Sequence, residues 1–460
     1  MDTLKAGFSR VNITPMLNIA ISGYFKPRNA EGVLDDLMLN CFAFEQNGKK
    51  AIMISYDLIG IGQNFIEIIK KAITKATGVE SDAIYLHATH THTGPLVITK
   101  EAYEASEDSL SADTDGTLEN EYFEFLVKRS ADAAVMALAD LKPAKMGYGV
   151  GEAPNIAFVR RFRMKDGSLQ TNPGVDNPNI VAPVGDVDER VNVVRFDREG
   201  GDTLVIINFG DHPDVVGGNL ISADWPGLTR DVVERTLDNV KCAVFNACQG
   251  DVNHVNVHPR GGYLNDMFMD FDDVARGYAH SKYMARVVTG GVLQAYDKVK
   301  YCDNVTLKCY QKTIELASNM PTPEQMPEAH RINNLHIAGK DSELPYEGMM
   351  LTTVVAEAGR MVKLEHGPAS FPMTVSGISF GPVAFVGFPG EPFTGIGRGI
   401  KESEDFELVM HTCLTNGNEG YFPMEDAYIE GGYEARSSRF KAGVAESLII
   451  EGKSVLKELK

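Results

Sequence analysis

The chain has 460 residues, room for two or three average domains or one large α/β domain, and its 43% hydrophobic content supplies a core. A net charge of −19, from 63 acidic against 44 basic residues, argues against nucleic acid and against stable association with anionic membranes. A small-molecule substrate is the expected partner, and the oligomeric state has no signature.

Six scattered cysteines (Cys41, Cys242, Cys248, Cys302, Cys309, Cys413) without CxxC spacing fit a reducing compartment and no disulfide framework. Residues Met1 to Gly7 hold no apolar leader, and no apolar run reaches the length of a membrane span. The expected location is cytoplasmic.

In chain order, Lys5 to Thr14 reads as a first strand closed by Pro15. Cys41–Glu45 and Ala51–Tyr56 form a predicted hairpin around Gln46-Asn47-Gly48, whose Asn-Gly is a strong turn signal. Apolar residues at helical spacing predict a helix over Asn64–Thr77. The run Ile84-Tyr85-Leu86 then starts a buried strand carrying His87, His90 and His92, and Thr93-Gly94-Pro95 ends it. Residues two apart in an extended segment point the same way, so His90 and His92 are expected to face one site, as metal ligands or as catalytic groups. A polar strand end satisfied by backbone carbonyls is the alternative.

Residues Glu101 to Gly116 read as an acidic surface loop, and Glu119–Leu141 as a long helix. Strands are predicted over Ala144–Val150, Val191–Phe196, Leu204–Phe209 and Ala243–Ala247, with a helix over Gly227–Leu237. Asp273–Tyr296 reads as a helix, Lys312 to about Leu344 as a peripheral insertion, and Tyr346–Lys363 as a helix. Strands Met373–Ile378, Val383–Phe388 and Leu408–Thr412, a helix over Thr394–Ser403 and a closing helix over Ala435–Leu459 complete an α/β chain.

Several strands end in polar residues able to bind a metal. Besides His90 and His92 these ends hold His212 before Pro213, Glu391 after Pro389-Gly390, and the loop Asn416–Tyr421. Two or three imidazoles with a carboxylate match a catalytic zinc set with one position open to water. Taken singly, His212 reads more readily as a loop histidine, Glu391 also as a charge favouring the next helix N-terminus, and Tyr421 by default as a packed aromatic. The acidic run Asp266 to Asp273 is either a cation site or a solvated face, and Trp225 either lines a pocket or belongs to the core. His280, His330, His336, His366 and His411 carry no motif.

The opening Ala6-Gly7-Phe8-Ser9-Arg10-Val11-Asn12-Ile13-Thr14-Pro15, followed by Thr89-His90-Thr91-His92-Thr93-Gly94-Pro95, resembles the neutral, non-lysosomal ceramidase family. So do Asn219–Asp224 after His212, Gly250-Asp251-Val252, Pro389-Gly390-Glu391 and Gly420-Tyr421, a likeness running from the N-terminus to about Tyr433. The resemblance implies one catalytic domain over 1–460 of mixed α+β class, with layered β-sheets flanked by helices. It implies zinc held by His90, His212, Glu391 and Tyr421, and His92 as a nearby acid/base or substrate contact. It also implies Tyr433 as a donor to the reacting carbonyl and a site arginine at Arg160 or Arg161.

Two departures stand out. The family's serine nucleophile falls at Asn253, which cannot act as one, so the expected chemistry runs through metal-activated water, with His254 either beside the metal or in a polar loop. The chain ends without room for the family's immunoglobulin-like C-terminal domain, which turns the expectation from ceramide to a smaller soluble amide or ester. A metal-dependent hydrolase or lyase of a carbohydrate-type metabolite, and a non-catalytic ligand-binding homologue, are the rival readings.

Overall fold

The computed structural model describes residues 3–104, 115–259, 267–270, 272, 274–303 and 305–460. The two principal sheets are built on β1 (Lys5–Asn12), β2 (Met38–Gln46), β3 (Lys49–Tyr56), β4 (Ile84–Ala88), β5 (Lys142–Glu152), β6 (Arg190–Arg198), β7 (Thr203–Asn208), β8 (Val240–Val244), β9 (Leu307–Ala317), β10 (Ser370–Phe380), β11 (Val383–Gly387) and β12 (Leu408–Thr412). The first sheet runs in the order β8-β7-β6-β5-β1-β2-β3-β4, with Lys300–Tyr301 added beside β5. The second runs β9-β10-β11-β12. Asn47 and Gly48 both take positive φ, 50° and 76°, the tight two-residue turn their sequence calls for between β2 and β3.

The strands read as nearly continuous apolar runs because both faces of the first sheet are buried. Alternate residues of β2 serve different cores: Leu39, Cys41 and Ala43 face helices, whereas Phe42 and Phe44 face the second sheet. On the helical side lie α1 (Gln63–Thr77), α2 (Thr117–Ala139), α3 (Asp224–Thr236) and α4 (Tyr278–Tyr296). Between the sheets an aromatic layer joins Phe42, Phe44, Phe196 and Phe245 to Phe380 and Phe385. Beyond the second sheet lie α7 (Thr394–Lys401) and α8 (Val444–Leu459). The architecture is therefore helix, sheet, sheet, helix, the layered arrangement expected. No helix among the described residues is long and apolar enough to cross a membrane.

The region 312–344 divides. Lys312–Ala317 belongs to β9, hydrogen-bonded along its length to β10, while α5 (Met326–Ile337) packs with α6 (Gly348–Leu364) around a small core of their own. The expected closing helix is two pieces, Tyr433–Ser437 and α8, separated at Gly443, whose φ of +95° suits glycine and starts α8 afresh. The strand expected over Ala243–Ala247 lies at Val240–Val244, and the helix from Asp273 starts at Tyr278. Trp225 is fully buried against Phe209, in the core. Most of the 101–116 loop lies outside the described residues. So do Asp266, Phe271 and Asp273, while Asp270 and Asp272 of the acidic run pair with Arg276.

Three strand–helix–strand crossovers position the site: β3-α1-β4, β7-α3-β8 and β11-α7-β12, each joining parallel neighbours. Their carboxyl ends point to one region, the usual ligand position in such sheets.

Candidate metal centre

The strand ends at Ala88, two residues before His90, so the histidines do not converge by extended-strand alternation. His90 instead has φ +73°, the left-handed region, a strained backbone of the kind that collects at functional sites. Thr91 and Thr93 then face the scaffold, their hydroxyls donating to the Ser222 carbonyl, and His90 and His92 face inward.

One ring nitrogen from each of His90, His92 and His212 lies within 4.8 Å of the others. His90 Nε2 is 3.1 Å from His212 Nε2 and 3.4 Å from His92 Nε2. Glu391 Oε2 lies 3.1 Å from His90 Nε2 and 3.7 Å from His212 Nε2. Outer contacts fix the imidazoles: His90 Nδ1 faces the Ile59 carbonyl at 2.7 Å, which leaves Nε2 for the cluster. Glu391 and Tyr421 are register partners in a short parallel bridge, which sets the Tyr421 phenol beside the Glu391 carboxylate. Gly250 closes this corner, since a Cβ there would stand 2.5 Å from the Glu391 carbonyl oxygen.

The two arginine candidates now separate. Arg160 is buried, donating to Tyr421 Oη at 3.1 Å, to the Gly250 carbonyl at 2.7 Å and to Glu434 Oε1 at 2.7 Å. Arg161 points to the Gly431 carbonyl and to Glu430. Tyr433 meets Tyr421 edge to face, with ring centres 5.5 Å apart. Asn253 is occupied: its amide donates to Asn172 and its carbonyl accepts from the Val255 N–H. His254 sits behind the cluster, its ring nitrogens facing the Ala275 carbonyl at 2.8 Å and Asp214 Oδ1 at 3.3 Å.

Electrostatics divide the imidazoles. Burial disfavours the charged form of all three, but Glu391 overrides it at His90 and raises that pKa. His212 is held well below its ordinary value by burial and by Arg160, and His92 by burial and by His90. Burial would raise the Glu391 pKa, but His90 and Arg160 draw it down to a carboxylate. The donor set can hold a metal ion: three imidazoles, an ionised carboxylate and a phenol converge, Glu391 Oε2 is aimed among them without a hydrogen-bond donor, and a cation there would displace the proton that Glu391 favours on His90.

Four features escaped the sequence reading. Asp211 and Asp214 flank His212, and the spacing Asp211-His212-Pro213-Asp214 was a usable signal. Glu434, the buried partner of Arg160, gave none. Nor did the segment Ser22–Arg28, which clasps His92: Gly23 abuts its ring, Tyr24 lies 5.2 Å from it between rings, and Arg28 donates to its carbonyl at 2.7 Å.

No family model and no curated relative matches the chain. Among solved structures it is similar to the neutral ceramidase of Pseudomonas aeruginosa, with a TM-score of 0.73 and 16% identity over 99% of this chain and 74% of that one. It is also similar to a ceramidase complexed with C2, with a TM-score of 0.71 and 16% identity over 99% of this chain and 75% of that one. The chain therefore has a neutral-ceramidase-like fold.

Proposed function

We propose that the protein is a zinc-dependent hydrolase that cleaves an amide or ester bond in a small soluble substrate. The observation that carries this reading is the convergence of His90, His92 and His212 within 4.8 Å, with the Glu391 carboxylate beside them. His90, His212, Glu391 and Tyr421 would hold the ion, with His92 at its edge. When bound, zinc supplies a water with a pKa near ~7 and Lewis acidity toward a carbonyl oxygen.

The rest falls to the chain's own groups. Arg160 stays charged, and its guanidinium places positive potential where an oxyanion develops. Tyr433 keeps its proton, because burial and the neighbouring Glu391 carboxylate both raise its pKa, and it donates to the reacting carbonyl. His92 carries the proton to the leaving group, and Asp214 and His254 back the cluster. Asn253, engaged with Asn172, takes no nucleophilic part.

Metal analysis of protein purified without added zinc tests this reading. Near-stoichiometric zinc, absent from His90→Ala and Glu391→Ala, together with acid release from simple amides or esters, is the expected result. Metal-free wild-type protein that stays inactive when zinc is added would refute it.

A further inference from the structure

Tyr433 has two sides. One faces Tyr421 and the candidate metal centre, with ring centres 5.5 Å apart. The other lines a cleft of about 190 Å³ formed by the strand Leu169–Thr171 and the loop after it, the start of α6, and the Gly432–Arg436 turn. Tyr433 is thus shared by the candidate centre and the cleft.

The cleft lining is selective. Gln170 and Glu347 line it and form no side-chain hydrogen bond or ion pair with the described residues, unlike Arg436, which is neutralised by Glu357. A carboxylate only accepts hydrogen bonds, whereas a carboxamide both donates and accepts. Hydroxyl groups satisfy both, because each can donate to Glu347 and exchange either role with Gln170. An anionic group would meet Glu347 and a protein of net charge −19, and the one cation among the described lining residues, Arg436, is already paired with Glu357. Met349 and Met350 supply adaptable apolar surface on which the C–H face of a saturated ring can rest. At about 190 Å³ the cleft suits a group of single-ring size.

We infer that this cleft binds a hydroxyl-rich, uncharged group of monosaccharide size, so that the bond cleaved joins an acyl group to a polyhydroxylated amine or alcohol. The inference rests on the hydrolase reading for the position of the scissile bond. The cleft's own chemistry is independent of it.

The experiment compares three acetyl amides, N-acetyl-D-glucosamine, N-butylacetamide and N-acetylsphingosine, by acetate release from the zinc-loaded protein. It is paired with calorimetric titration of methyl β-D-glucopyranoside into wild type and Gln170→Leu/Glu347→Leu. Expected is a kcat/KM for N-acetyl-D-glucosamine at least about tenfold above the other two, lost through KM in the double variant, with saturable glucoside binding only in wild type. Equal or better turnover of N-butylacetamide or N-acetylsphingosine would overturn the inference and leave the hydrolase reading intact. Absence of acetate from all three would overturn the hydrolase reading. The glucoside titration then decides the cleft alone: binding lost in the double variant sustains it, and no binding refutes it.

Discussion

Gly23→Ala is the sharpest test of how the centre is held together. Gly23 has φ +116°, a conformation that side chains rarely adopt, and a Cβ built there would stand 2.9 Å from Cβ, Cγ and Nδ1 of His92. Restoring ordinary contact, which begins near 3.4 Å, requires a displacement of about half an ångström. His92 has little room to give, because its N–H donates to the Pro213 carbonyl and its carbonyl accepts from Arg28. A shift of ~0.5 Å is the tolerance within which a functional constellation must be held. We expect zinc affinity to fall roughly 10–100-fold, as for loss of an outer-shell support, alongside about 1–3 kcal/mol of backbone strain. Competitive zinc titration and urea unfolding read the two effects separately. Gly48→Ala is the control, since φ there is +76° but a Cβ would meet nothing within 4 Å. It should lose stability and keep its zinc affinity. If Gly23→Ala binds zinc as tightly as Gly48→Ala does, the Ser22–Arg28 segment does not position His92.

Other expectations follow from the same geometry. Arg160→Ala leaves Glu434 fully buried without its cation, so urea unfolding should show a loss of roughly 3–5 kcal/mol; a change under ~1 kcal/mol would contradict the pairing. Chelation should lower the thermal midpoint, and added zinc should restore it, by about 2.7 kcal/mol at a hundredfold excess over Kd; an unchanged midpoint speaks against an ion in this centre. Burial raises the Asp35 pKa to about 6 despite hydrogen bonds from Ser222 and Ala223. The folded state then holds a proton that the unfolded chain releases near pH 4, so stability from this group is present at low pH and lost as pH rises through about 6. The loss amounts to roughly 2–3 kcal/mol at 1.36 kcal/mol per pKa unit. Asp35→Asn should flatten the unfolding free energy between pH 4 and 6 relative to wild type, and a slope identical to wild type would count against the burial argument.

Much of the scaffold is written locally. The Asn47-Gly48 turn, the apolar runs of β3, β4 and β11, and the helical spacing over Asn64–Thr77 each depend on neighbours in sequence, and each element is found near its expected place. The site is less local. His90, His212 and Glu391 were visible as polar residues after strands, but their meeting depends on contacts 122 residues apart and on the left-handed turn at His90, which no period encodes. That Arg160 reaches Tyr421, while Arg161 points to Glu430, goes with its pairing to Glu434, some 270 residues away. The break before α8 and the β9 strand inside a Pro-rich, polar stretch were misread because tertiary pairing outweighed local composition.

The centre also spans the seam between the two sheets. His90 and His212 follow strands of the first, whereas Glu391 and Tyr421 follow strands of the second. An ion gripped by all four would act as a rivet between halves already joined by a greasy aromatic layer and by hydrogen bonds such as Asn208 to the His411 carbonyl. Its uptake would then report their docking, so a slowly filled centre after refolding from denaturant would mark late closure of that seam.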